Sequence, residues 1–152
     1  MCLIIVDNPP PTERIPVFKK LMFHKDSSIL LSPFRYFEYK VGINQAKGNL
    51  EIQEVRDYDW EKKQFFPQIK YRKIDSGIFH CFTNEIQAGK YQFGSVVIKG
   101  YAEPEDFVAW GTNEEVGVKK FSILKEDFDS ALEKYINDNI KYIIPSVNAC
   151  EI

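Results

Sequence analysis

The chain has 152 residues and a mass of 17.7 kDa, of which 44% are hydrophobic and 28% charged. Its 20 Lys and Arg against 22 Asp and Glu leave a net charge of -2. Ordinary apolar content without a repeat excludes a disordered chain, a collagen-like fibre and a coiled coil, and no apolar run approaches the ~20 residues of a membrane-spanning helix. A chain of this length predicts a single domain over 1–152, able to hide roughly 68–70% of its unfolded surface without a disulfide or metal.

From the N-terminus, Leu3 to Val6 predicts a short strand buried on both faces, because no polar residue alternates with the apolar ones. Asp7-Asn8-Pro9-Pro10-Pro11 ends it, since consecutive prolines cannot donate to a ladder. Val17 to Phe23 is crowded with Val, Phe and Met and reads as a strand, although its apolar residues fall on both phases. Lys25-Asp26-Ser27-Ser28 is a turn before apolar Ile29-Leu30-Leu31. Phe37, Tyr39 and Val41 alternate with Glu38 and Lys40, the period of a strand with one wet face. Leu50 and Ile52 against Glu51 and Gln53 repeat that pattern, and the charged stretch from Arg56 to Gln64 reads as a solvated excursion.

Ile69 and Tyr71 against Lys70 and Arg72 give a further strand, and Asp75-Ser76-Gly77 supplies turn chemistry before Ile78 to Phe82. Residues 69–82 therefore predict a β-hairpin. Asn84 with Gln87 three positions on resembles a capping box for a short helix from Glu85 to about Lys90, ended by Gly89 and Gly94. Strands follow at Ser95 to Tyr101, at Phe107 to Trp110 and at Val116 to Leu124, with Pro104 interrupting the series.

The last element is the most regular. Phe128, Ala131, Leu132, Tyr135, Ile136, Ile140 and Ile143 form one stripe at helical spacing, with Glu126, Asp127 and Asp129 at the positive end of the dipole. Pro145 predicts its end, with a frayed tail beyond. The sum is an α+β domain: a mostly antiparallel sheet of about six to eight strands, packed by one long C-terminal helix and one short helix.

No basic region precedes the first apolar run, as a secretory signal requires. Cys2, Cys81 and Cys150 are odd in number and unpaired in spacing, which favours a reducing cytoplasm over a disulfide framework. Charge is uneven. Residues 14–73 carry 13 Lys and Arg against 7 Asp and Glu, whereas residues 74–152 carry 7 against 13. The basic half either marks an anion-binding face or meets the acidic half within one fold, and the second reading is preferred for so short a chain.

Met1-Cys2-Leu3, Leu31-Ser32-Pro33-Phe34 running into Tyr39-Lys40-Val41-Gly42, Gly77 to Phe82 followed by Ala88, and Val96-Val97-Ile98-Lys99 together carry a resemblance. The chain resembles a group of short, uncharacterised proteins of bacteriophages and Bacteroidetes-type bacteria, up to about residue 124, with the final helix as an extension. The resemblance implies a single cytoplasmic domain and brings no catalytic residues with it.

Two chemistries can be drawn from the residues. Removal of Met1 would expose Cys2 as an N-terminal nucleophile with its own amine as base, but Leu3 stands where such enzymes usually have glycine, and a small buried cysteine is the commoner role. Alternatively, Arg35, Tyr36, Tyr39 and His80, with Ser32 and Lys40, would form a polar cleft. The guanidinium would grip a phosphate or carboxylate, the phenol rings would stack, and the imidazole would exchange protons near neutral pH. That set suits a nucleotide or another small anion, whether simply bound or turned over. The residues' ordinary roles are a solvated edge for Arg35 and Lys40, and packing for the tyrosines and His80.

Scattered Cys and His residues give no metal-ligand pair, and no glycine-rich phosphate loop occurs, so no cofactor is expected. Nucleic-acid binding lacks the required basic excess. The remaining signal is aromatic: Tyr36, Tyr58, Trp60, Phe65 and Trp110 lie in or beside predicted loops, where they either anchor a protein partner or close the ends of the sheet. The sequence thus predicts a cytoplasmic binding domain for a protein or small anionic ligand, with a small enzyme around Arg35 and His80 as the alternative.

Overall fold

A computed structural model describes residues 2–24, 29–32 and 37–151, with side chains described as far as Asp138. Its centre is β2 (Ile15–Phe23), where Val17, Leu21 and Phe23 alternate inward as the pleat requires. On one side β2 pairs antiparallel with β11 (Val96–Ala102), from Leu21 opposite Val96 to Ile15 opposite Ala102. On the other side it meets β10 (Phe79–Phe82) through Phe18 and Phe82, and β3 (Leu30–Leu31) through Met22 and Phe23. β10 then pairs with β13 (Glu115–Val118), and β11 pairs with β14 (Lys120–Ile123).

Only Lys119 separates β13 from β14. The path β13-β10-β2-β11-β14 therefore begins and ends on one bent strand, and the sheet curls back on itself. Val118 and Phe121 both face the core although three positions separate them, which marks the bend. Every strand of this circuit contributes to one buried cluster, including Leu21, Ile98, Cys81, Val116 and Phe121. Gly100 is required there, since a Cβ would stand 2.6 Å from the Phe121 ring. β12 (Phe107–Trp110) and β5 (Gly42–Gln45) extend the sheet at its two ends, and β4 (Glu38–Tyr39) adds to β3.

Helix α2 (Lys125–Glu151) covers this core. Ala131 is buried, and the rings of Phe128 and Tyr135 lie 5.9 and 5.1 Å from that of Phe23. The predicted stripe is narrower than expected, because Ile136 is exposed. The helix also runs through Pro145 rather than ending there. A proline removes one backbone donor and bends a helix, but the ladder can resume beyond it. Short helix α1 (Glu85–Gly89) starts as expected, with the Asn84 carboxamide accepting from the Ile86 and Gln87 amides at 2.8 and 3.3 Å.

The α+β class and the mostly antiparallel sheet agree with the sequence, but the described residues form 14 strands rather than six to eight. The predicted hairpin over 69–82 does not form. β9 (Tyr71–Ser76) joins a separate three-stranded sheet between β1 (Leu3–Ile4) and β6 (Glu51–Val55), while β10 belongs to the circuit. Gly77 makes the switch: at φ 84° its α-carbon passes so close to Leu50 that a Cβ would stand 2.5 Å from the Leu50 nitrogen. The charged excursion is also structured, as a hairpin of β7 (Tyr58–Asp59) and β8 (Gln64–Phe65). A second small cluster, Leu3, Ile74 and Ala109, joins the three-stranded sheet to β12, so the helix-covered core is not the sole interior. The two charge halves interleave through β2, β10 and β11, yet among the described ion pairs only Arg14–Glu103, at 3.9 Å, and the local Lys73–Asp75 link them.

Candidate functional site

Of the four residues proposed for a polar cleft, Arg35 and Tyr36 lie outside the described residues. The other two do not converge. Tyr39 is buried, with its ring 5.6 Å from that of Phe79 and 5.9 Å from that of Phe121. His80 follows Phe79 on β10 and so points to the opposite face of that strand. Both of its ring nitrogens are shut off from solvent, and its register partner is Gly117, whose α-carbon is packed by Ile78 and Leu3. Strand alternation therefore separates the phenol from the imidazole. Lys40 is exposed, and Ser32 is half-buried with its amide donating to the Phe37 carbonyl.

A titratable group that the sequence did not single out, partly buried, lies against the core instead. Lys19 shares the inward phase of Val17 and Leu21, and the register places it opposite Ile98 on β11. The β2–β10 pairing at Phe18 and Phe82 places Cys81 across from it on the other side. Its Nζ donates to the His80 carbonyl at 2.7 Å, replacing a ladder bond where the two strands diverge. Burial pulls the Lys19 ammonium below its usual range, and the Cys81 thiolate opposes that shift. Burial likewise pushes the Cys81 thiol up to about 11, with Lys19 acting against it, and raises the Tyr39 phenol. A thiol held protonated is a poor nucleophile, so this set is a polar clamp at the margin of the core. Cys2 is half-buried beside Leu3, and among the described residues no three His, Cys, Asp or Glu side chains gather as metal ligands.

The aromatic residues divide. Trp110 closes the sheet: its indole N–H donates to the Pro9 carbonyl at 2.8 Å and its ring lies 5.0 Å from that of Phe107. Trp60 does the opposite. It is 81% exposed at the tip of the β7–β8 hairpin, and Phe65 is 64% exposed beside it. Tyr58 sits between them with edge contacts of 4.6 Å to Trp60 and 5.1 Å to Phe65.

Polar bonds hold this exposed cluster in shape. The Asp59 carboxylate accepts from the Glu61 and Lys62 amides at 3.0 and 3.3 Å, and Lys63 takes the left-handed turn at φ 52°. The Phe66 amide donates to the Asp57 carbonyl at 2.8 Å, and Arg56 donates to the Pro67 carbonyl at 2.8 Å. Within residues 58–65, Asp59 and Glu61 balance Lys62 and Lys63, so the hairpin itself carries no net charge. The excess of aromatics in this window was legible in the sequence, but not which of them the fold leaves outside.

No family model, curated protein or solved structure matches the chain. Among the described residues no helix is long and apolar enough to cross a membrane.

Proposed function

We propose that the chain is a non-catalytic, cytoplasmic interaction domain that docks a protein partner through the β7–β8 hairpin, with Trp60 as its anchor. The observation that carries this reading is a tryptophan 81% exposed on a hairpin already fixed by its own turn. An aromatic side chain held in place before binding loses little conformational freedom on docking, and tryptophan is among the residues that dominate interface energetics. The balanced charge of the hairpin favours a protein surface over a nucleic acid, whose phosphates would call for net positive charge. Free thiols at Cys2 and Cys81 fit a reducing compartment. The resemblance to short phage proteins fits an accessory role beside host machinery. The enzyme alternative is less well supported, because Tyr39 and His80 face away from each other.

The test replaces Trp60 with a photo-crosslinking phenylalanine analogue in the cells of origin. A discrete covalent protein adduct is expected, and the same analogue at exposed Glu114 should yield none. Absence of an adduct at Trp60, or an equal one at Glu114, defeats the reading.

A further inference from the structure

The molecule already holds one run of prolines on a tryptophan. Pro9, Pro10 and Pro11 are consecutive, and their fixed φ favours the extended polyproline form, whose carbonyls have no internal partners. The Pro9 carbonyl accepts the Trp110 indole N–H at 2.8 Å, with the Phe107 ring 5.0 Å from that of Trp110. Proline carries an acceptor and no donor, so its counterpart is an apolar surface whose polar tips donate.

The β7–β8 hairpin repeats these parts with its donors unused. Tyr58 and Phe65 are cross-strand partners, and Trp60 follows Tyr58 by two positions. The ring planes of Trp60 and Phe65 stand at 70° and 80° to that of Tyr58, so the three make a stepped apolar surface rather than a flat stack. Among the described residues, neither the Trp60 indole N–H nor the Tyr58 hydroxyl meets a hydrogen-bond partner. The Asp59 carboxylate is engaged by the turn amides, and Glu61 stands beside Lys62 and Lys63. The surface therefore matches an uncharged segment better than a charged one.

We propose that the partner segment received by this hairpin is a proline-rich stretch in the polyproline form. The inference rests on the docking reading above and names the chemistry of its partner. Pyrrolidine rings pack against Trp60, Tyr58 and Phe65, and the segment's carbonyls accept from the indole N–H and the phenol O–H, as Pro9 accepts from Trp110. Both sides are shaped before they meet: proline locks the ligand's φ, and Asp59 fixes the hairpin's turn. Docking then costs little conformational freedom. A second copy of this chain fits less well as the donor of the prolines, because its Pro9 carbonyl is already taken by Trp110.

Fluorescein-labelled decaproline tests the proposal by anisotropy, with the indole N–H signals of the nitrogen-15-labelled full chain as the positional readout. The Trp60 indole signal should move downfield on binding, and the Trp110 signal, already hydrogen-bonded to Pro9, should stay in place. An alternating alanine–serine peptide of equal length should bind at least about tenfold more weakly. That comparison leaves the protein unaltered, so misfolding cannot produce it. Trp60→Phe keeps a ring and removes the donor, and should weaken decaproline binding by about three- to tenfold, the loss of one hydrogen bond. Trp60→Ala should weaken it by about thirtyfold or more, as for a dominant interface residue. No shift at ~1 mM decaproline, a shift of Trp110 in place of Trp60, equal binding of the two peptides, or unchanged binding by Trp60→Ala overturns the proposal. So does attachment to phosphatidylcholine–phosphatidylglycerol vesicles without decaproline binding, or self-association that alone moves the Trp60 signal. A cellular adduct at Trp60 beside a failed decaproline response sinks this inference alone, whereas a missing adduct sinks the docking reading beneath it.

Discussion

The curled circuit and the annex of β1, β6, β9 and the β7–β8 hairpin use opposite means of holding a β-structure together. The circuit, with β3, β4 and α2, gathers 15 buried residues into one cluster, including Leu21, Ile98 and Phe121. The annex is tied to it by three, Leu3, Ile74 and Ala109. Four of the six described ion pairs lie in the annex, among them Arg56–Glu54 and Lys70–Asp57. Exposed pairs of that kind contribute about 0–1 kcal/mol each, far less than apolar burial. The annex is therefore the region free to present surface, and the circuit is the scaffold that carries it.

The contrast breaks most visibly at Phe121. It is 2% exposed, its ring lies 5.0 Å from that of Phe79, and it fills the space that Gly100 leaves open. Phe121→Ala should lose about 3–5 kcal/mol in chemical denaturation, since it removes buried surface and leaves a cavity among rings that cannot collapse into it. A loss below about 1 kcal/mol, the size of a typical surface effect, would mean that the circuit does not form the main core.

A smaller effect sharpens the same contrast through pH. The Cys81 thiol is held up at about 11 against 9.0 for a free thiol, chiefly by burial. As pH rises from 9.0 the unfolded chain loses this proton first, so stability falls through that window and the loss is complete above about 11. The full swing is about 2–3 kcal/mol. Lys19 works the other way: its lowered ammonium is a burden below its folded value, relieved as pH approaches 10.5. Cys81→Ala should therefore show a shallower alkaline loss than the parent chain in denaturation at pH 8 and pH 11, although Tyr39 still contributes above its ordinary range. Parallel loss in both chains would remove Cys81 from the clamp.

The sequence exposed these two regions unequally. Local periodicity was enough for Val96 to Tyr101, for the stripe through Phe128, Ala131 and Tyr135, and for the Asn84 cap, because each depends on near neighbours. Asp75-Ser76-Gly77 announced a turn, but turn chemistry does not say which strand either arm will join, and the pairings of β9 and β10 are both long-range. The fourteen-strand count reflects bends at positions such as Lys119 that break one apolar run into two pairings. Lys19 was hidden because a charge within a strand reads as a wet face. Only the carbonyl of His80, 61 residues away, makes an inward lysine tolerable. The expected meeting of Tyr39 and His80 does not occur for a related reason: the two were joined by chemistry, whereas the pleat of β10 puts them on different sides.

The smallest expected effect bears most directly on the annex. Trp60 is 81% exposed and touches Tyr58 by ring edge alone, while the hairpin's turn is fixed by Asp59 and by the Phe66–Asp57 bond rather than by the indole. Trp60→Ala should therefore change folding stability by no more than about 0.5 kcal/mol, in keeping with surface substitutions that break no cap, cavity or buried bond. Iodide should quench the emission of a Trp110→Phe chain, which reports Trp60, far more than that of a Trp60→Phe chain, which reports Trp110 held on Pro9. A stability loss of about 2 kcal/mol or more on Trp60→Ala, or equal quenching of the two chains, would mean that the indole is packed. The tryptophan would then serve the fold, and the distinction between a scaffold and a presenting annex would fail at its most exposed residue.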